Sequence, residues 1–116
     1  MPNFDGRLFR PVSTSANGEA GTDTVFHYRQ TGDVVWATYT GGQVKHGTLV
    51  ALMDAGGSLD VRYQHLASDG TLRTGICHST LEVLADGRYR LHERWRWTEP
   101  HDGGEGHSVV EEFAPA

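Results

Sequence analysis

Apolar and polar side chains alternate along most of this chain. Phe26-His27-Tyr28-Arg29, Val35-Trp36-Ala37-Thr38-Tyr39, Leu59-Asp60-Val61-Arg62-Tyr63 and Leu91-His92-Glu93-Arg94-Trp95 all keep a period of two. That period sends successive side chains to opposite faces of a strand. Glycine turns at Thr31-Gly32, Gly41-Gly42, Gly56-Gly57, Asp69-Gly70, Asp86-Gly87 and Gly103-Gly104 punctuate the runs. The pattern predicts strands over Leu8–Thr14, Asp23–Gln30, Val34–Thr40, Val44–Met53, Ser58–Ala67, Thr71–Leu84, Arg88–Thr98 and His107–Phe113,. Pro11 implies an edge or a bend in the first. Ser15–Thr22 reads as loop, and Glu99–Gly106 as the longest late loop. About eight hairpin-linked strands close naturally into one all-β, antiparallel up-and-down β-barrel over residues 1–116, with no edge left unpaired. A two-sheet β-sandwich is the alternative.

Two turns suggest a register. If Asp69-Gly70 and Asp86-Gly87 are two-residue hairpin loops, Ser68 faces Thr71 and Ala85 faces Arg88,. Counting onward puts Tyr63 opposite Ile76, Val61 and Trp95 opposite His78, and Glu93 opposite Thr80. One face then collects Leu59, Val61, Tyr63, His65, Thr74, Ile76, His78, Thr80, Tyr89, Leu91, Glu93, Trp95 and Trp97. The other collects Asp60, Arg62, Gln64, Arg73, Arg90, His92, Arg94 and Arg96. The segregation of charge marks the first face as interior. Between residues 23 and 53 the choice stays open. Phe26, Tyr28, Val35, Ala37 and Tyr39 can face inward, or the reverse face can, which would bring His27 and Arg29 inside and suit an anionic ligand.

The polar residues that land inside carry the functional expectation. Glu93 lies between Leu91 and Trp95, so its carboxyl must be paired, hydrogen-bonded or protonated,. His78 falls diagonally across from it. Tyr63, His65, His78, Glu93, Trp95 and Trp97 together describe apolar walls with a few convergent polar groups, as in a small-molecule pocket. An acid/base pair of Glu93 and His78 is the enzymatic alternative. The bland readings are an internal ion pair that fixes register and tryptophans that only fill a core. A metal site of His65, His78 and Glu93 is not favoured, because the histidines should lie roughly 13 Å apart along the strand direction. Cys77 next to Arg96 is an activated thiol or, more commonly, an inert one.

Composition adds modest constraints. A hydrophobic fraction of 37%, with 15 glycines and 22% charged residues, fits strands buried on one face,. The net charge of -5 argues against nucleic-acid and anionic-membrane partners,. The Arg90/Arg94/Arg96 stripe is then a solvated face paired with carboxylates such as Glu111 or Glu112. A single cysteine allows no intrachain disulfide and suits a cytoplasmic setting,. The chain does not open with a basic region followed by an apolar stretch, and no apolar run approaches the ~18 residues of a spanning helix. No phosphate loop or Gly-x-Ser-x-Gly elbow occurs, so no cofactor is assigned. A homodimer through the barrel walls is compatible with the pattern.

Phe26-His27-Tyr28-Arg29-Gln30-x-Gly32, Tyr39-x-Gly41-Gly42, Arg62-Tyr63-x-His65, Thr74-Gly75-x-Cys77-x-Ser79, Arg90-Leu91-x-Glu93-x-Trp95-x-Trp97-Thr98 and Glu111-Glu112 span nearly the whole chain. They resemble a group of small bacterial proteins of this length that often carry the label N-acetylglutamate synthase. The usual acyl-CoA-binding fold needs alternating helices and strands and an Arg/Gln-x-x-Gly-x-Gly/Ala loop, and this sequence has neither. The resemblance therefore implies a bacterial origin and little chemistry. By architecture alone the predicted barrel is similar to the calycin group of lipocalins, fatty-acid-binding proteins and avidins, a likeness of fold rather than of function.

Overall fold

A computed structural model describes residues 2–99 and 103–113. The strands are β1 (Leu8–Thr14), β2 (Val25–Thr31), β3 (Val34–Gly41), β4 (Val44–Met53), β5 (Leu59–Ala67), β6 (Leu72–Val83), β7 (Tyr89–Glu99) and β8 (Glu105–Glu112). Each pairs antiparallel with the next, and β1 pairs with β8, so the sheet closes in sequence order. The barrel is up-and-down, and the sandwich alternative is excluded. Pro11 sits at a register shift between β1 and β8. It marks a bend, since closure leaves no edge. Part of the late loop lies outside the described residues, and Glu105 and Gly106 already belong to β8.

The turns around β6 correct the expected register. Gly70 N bonds the Ala67 carbonyl at 2.9 Å and Ala67 N bonds the Thr71 carbonyl at 2.8 Å. Leu84, Gly87 and Arg88 repeat that arrangement. Each loop is thus three residues long, a tight turn followed by a glycine at positive φ (87° at Gly70, 90° at Gly87),. Asp69 and Asp86 brace these loops by accepting from the backbone N–H two residues on,. One extra loop residue at each end moves β6 by one position against both neighbours. Val61 therefore faces Cys77, Tyr63 faces Gly75, Trp95 faces Cys77 and Glu93 faces Ser79. A slip of one residue inverts a strand, so Ile76, His78 and Thr80 leave the predicted interior and Gly75, Cys77 and Ser79 enter it. β5 and β7 keep their expected inward faces.

The open choice in the earlier strands resolves toward Phe26, Tyr28, Val35, Ala37 and Tyr39, all buried, with His27, Arg29 and Trp36 outside. One barrel end is sealed by the N-terminal segment. Phe4, fully buried, packs against Phe9, Tyr28 and Tyr89. Its backbone N–H bonds Gln30 Oε1 at 2.8 Å, and Gly6 N bonds the Tyr28 carbonyl at 2.9 Å. At the other end, residues 15–24 connect β1 to β2 and fold over the mouth. Thr24 Oγ1 donates to the Gly41 carbonyl and accepts from Gly21 N, both at 2.9 Å.

Outside, the arginine stripe is only partly paired. Arg88 and Arg90 both bond Glu111, at 2.6 and 3.0 Å, and Arg7 bonds Glu112 at 2.7 Å. Arg94 and Arg96 form no ion pair among the described residues. By register they lie opposite His107 and Glu105.

Candidate functional site

Two aromatic rings of the interior lie on glycines that leave them room. A Cβ on Gly75 would collide with the Tyr63 ring, and one on Gly47 with the Tyr39 ring. Gly106 likewise clears space for Trp95. These glycines let bulky rings from neighbouring strands turn into a small barrel without overfilling it. Trp97 then makes edge-to-face contacts with Tyr63, Trp95 and His65, and His65 with Tyr39, with centroids 5.5 to 5.7 Å apart,. Phe26 stacks on Tyr39 at 4.7 Å.

The rings border a cavity of about 80 Å3 that opens at the barrel mouth. An eight-stranded barrel has an interior wide enough for side chains or one small ligand. The lining includes Tyr63, His65, Glu93, Trp95 and Trp97 from the sequence expectation. It also includes Glu19, Tyr39, Cys77 and Ser108. His78 is absent from it. That residue is exposed on the outer wall, beside Arg94 and His107. The expected His78–Glu93 pair therefore does not exist, and an acid/base mechanism between these two residues has no structural basis. Cys77, expected outside near Arg96, is instead buried in the wall, where burial and the nearby Glu93 push its thiol well above the usual range.

Glu93 rises from the middle of β7. Ser108 on β8 donates to its Oε1 at 3.1 Å and Ser79 on β6 to its Oε2 at 3.3 Å. Ser108 in turn accepts from Trp95 Nε1 at 3.2 Å, which orients its hydroxyl toward the carboxyl. Burial pushes the Glu93 carboxyl from 4.5 up to about 7, and the two serine bonds only partly offset it,. The residue keeps some accessible area although its carboxyl is deeply embedded. Glu93 also lines the cavity. Tyr28, Tyr39 and Tyr63 are likewise held in the protonated form by burial, with the Glu93 charge adding to the effect.

The mouth carries a second polar cluster. Glu19 reaches down from the covering loop to His65 Nε2 at 2.8 Å and to Arg73 Nε at 2.6 Å. The other His65 nitrogen lies 3.0 Å from the Tyr39 hydroxyl, so a histidine only 6% exposed is satisfied on both sides. Trp97 Nε1 donates to the Asn17 carbonyl of the same loop at 3.4 Å. Arg73 was expected on the outer face. It turns toward the mouth because β6 is shifted and pairs it with His65.

Sequence reasoning missed Glu19, Arg73, Ser79 and Ser108. Ser79 and Arg73 follow from the three-residue turns, which an Asp-Gly pair permits as readily as the two-residue form. Glu19 lies in irregular chain, where no periodicity reports direction. Among the described residues no cluster of three His, Cys, Asp or Glu side chains is placed to hold a metal ion.

A closed eight-stranded antiparallel barrel with an aromatic-walled interior cavity defines a calycin-like protein, a class of small up-and-down barrels. The family described as Avidin-like protein matches residues 2–113, and the chain belongs to that family. No curated protein and no solved structure registers as a match. The family and the geometry agree on the barrel.

Proposed function

We propose that this protein binds a compact small molecule inside the barrel, between the Glu93 carboxyl and the rings of Tyr63, Trp95 and Trp97. The observation that carries this reading is the cavity itself, bordered by aromatic rings and by a carboxyl whose protein partners are two hydroxyls. Apolar walls give affinity through burial, and a few placed polar groups give orientation. Membership of an avidin-like family supports the same reading. His65 contributes by holding Glu19 and Tyr39 at the mouth. A cytoplasmic setting is proposed from the lone, free cysteine, and cell fractionation tests it,. Thermal-shift and native mass-spectrometric screening of a metabolite library, on wild type and on Glu93→Gln and Trp97→Ala variants, tests the binding. Ligands that stabilise wild type and lose their effect in both variants are expected. Ligands that stabilise all three equally would refute the interior site.

A homodimer is a second reading. Val34 pairs with Leu52 and Trp36 with Val50 on the outer wall, and all four are exposed. This apolar patch is flanked by Arg29–Asp5 on one side and Arg62–Asp60 on the other. Light scattering of wild type and Leu52→Glu distinguishes a dimer lost on substitution from a monomer throughout.

A further inference from the structure

We propose that the interior cavity takes a compact organic cation, a protonated amine carried on an apolar or aromatic body, with Glu93 as its counter-ion. This rests on the interior-binding reading and adds the charge of the ligand.

The argument begins with the charges that line the cavity. Two carboxyl groups do so, Glu19 and Glu93. Glu19 is already bonded to Arg73 and His65. Glu93 has no cationic partner among the described residues, and its bonds come from Ser79 and Ser108. Each carboxyl oxygen receives one of these bonds, which leaves lone pairs on both for a donor arriving through the cavity. A buried carboxylate served only by hydroxyls is under-compensated, and a cation beside it restores the balance.

The groups around Glu93 do not compete for that role. Cys77 and Ser79 face it from β6, Ser108 from β8, and Leu91 and Trp95 flank it on β7. The titratable groups that feel its charge across the barrel are Tyr28, Tyr39, Tyr63 and Cys77, all held protonated by burial. None supplies a positive charge. An anionic ligand would meet the Glu93 carboxylate, while Arg73 and His65 at the mouth are already engaged by Glu19. A neutral ligand would leave the carboxylate as it stands. A cation also gains from the π-systems of Trp95, Trp97 and Tyr63, which border the same space,. Carboxylate and aromatic walls thus select the same ligand charge for independent reasons.

The test uses three probes of one shape: benzylammonium, benzyl alcohol and benzoate. Binding of each to the full chain is measured calorimetrically at pH 8. Benzylammonium is expected to bind at least tenfold more tightly than the other two, and Glu93→Gln is expected to remove at least tenfold of its affinity. In wild type its affinity is expected to rise between pH 5.5 and pH 8, as Glu93 ionises while the amine stays charged. That profile keeps the test decisive if the variant does not fold, provided it persists in His65→Gln, which removes the histidine that lines the same cavity. Benzyl alcohol or benzoate binding as tightly as benzylammonium overturns the charge assignment and leaves interior binding standing. Benzylammonium affinity that ignores both Glu93→Gln and pH also overturns it. Failure of all three probes to bind overturns the charge assignment together with the interior-binding reading.

Discussion

Replacing Glu93 with glutamine should change how stability depends on pH, and the size of the change follows from the site. Burial lifts this carboxyl from 4.5 to about 7 in the folded chain, whereas unfolding returns it to its ordinary value. Between those values the folded state holds a proton that the unfolded state has released. Stability therefore falls as pH rises through this window, by ~1.4 kcal/mol for each pH unit. The favourable contribution is complete below about pH 4.5 and gone above about pH 7, a loss on the order of 3 kcal/mol,. Glutamine keeps the shape and cannot ionise. Urea unfolding of wild type and Glu93→Gln from pH 4 to pH 8 measures the difference, and all other titrating groups cancel in it. The variant should gain about 3 kcal/mol on wild type across that range, on the order of 10 °C in melting temperature for a domain of this size. Parallel curves for the two proteins would refute the reasoning, because they would mean that Glu93 titrates alike folded and unfolded.

Other expectations come from the same geometry. Ser108→Ala removes one of two donors to Glu93 and strips Trp95 Nε1 of its acceptor, so the Glu93 midpoint should rise further in a carboxyl 13C NMR titration. Gly75→Val pushes a side chain into the Tyr63 ring and should cost about 1–3 kcal/mol in denaturant unfolding, with altered tryptophan fluorescence through the Tyr63–Trp97 contact,. Glu19→Ala leaves Arg73 and His65 without their shared partner and should speed amide hydrogen exchange across residues 15–24, at a cost of about 1–3 kcal/mol,. Glu111→Ala breaks bonds to the more exposed Arg88 and Arg90 and should cost no more than about 1 kcal/mol, less at high salt,.

The barrel was legible because alternation and turns agree along the chain. β1 and β4 begin and end where the pattern places them. The inward faces of β5 and β7 were also legible, since Leu59, Val61, Leu91 and Trp97 leave no other face apolar enough to bury. β6 was harder. Arg73-Thr74-Gly75-Ile76-Cys77-His78-Ser79-Thr80 offers small or mixed residues on both faces, so its direction rests on turn length alone. The aspartate–glycine pairs allow two loop lengths, and the structure adopts the longer at both ends. His78 is thereby exchanged for Ser79 beside Glu93, which changes an acid/base pair into a carboxyl served by hydroxyls. The plug at Phe4 and the latch at Glu19 lie in irregular chain, where side-chain direction is decided by tertiary contacts that no local pattern reports.

The tryptophans give the most direct check on interior binding, because the protein carries three and places them differently. Trp95 and Trp97 line the cavity, while Trp36 is on the outer wall as an internal control. Indole N–H resonances, followed by two-dimensional NMR during titration with benzylammonium at pH 8, report each site separately. Saturable shifts at Trp95 and Trp97, with Trp36 unmoved, are the predicted result. Shifts confined to Trp36, or none at saturating probe, would contradict binding inside the barrel.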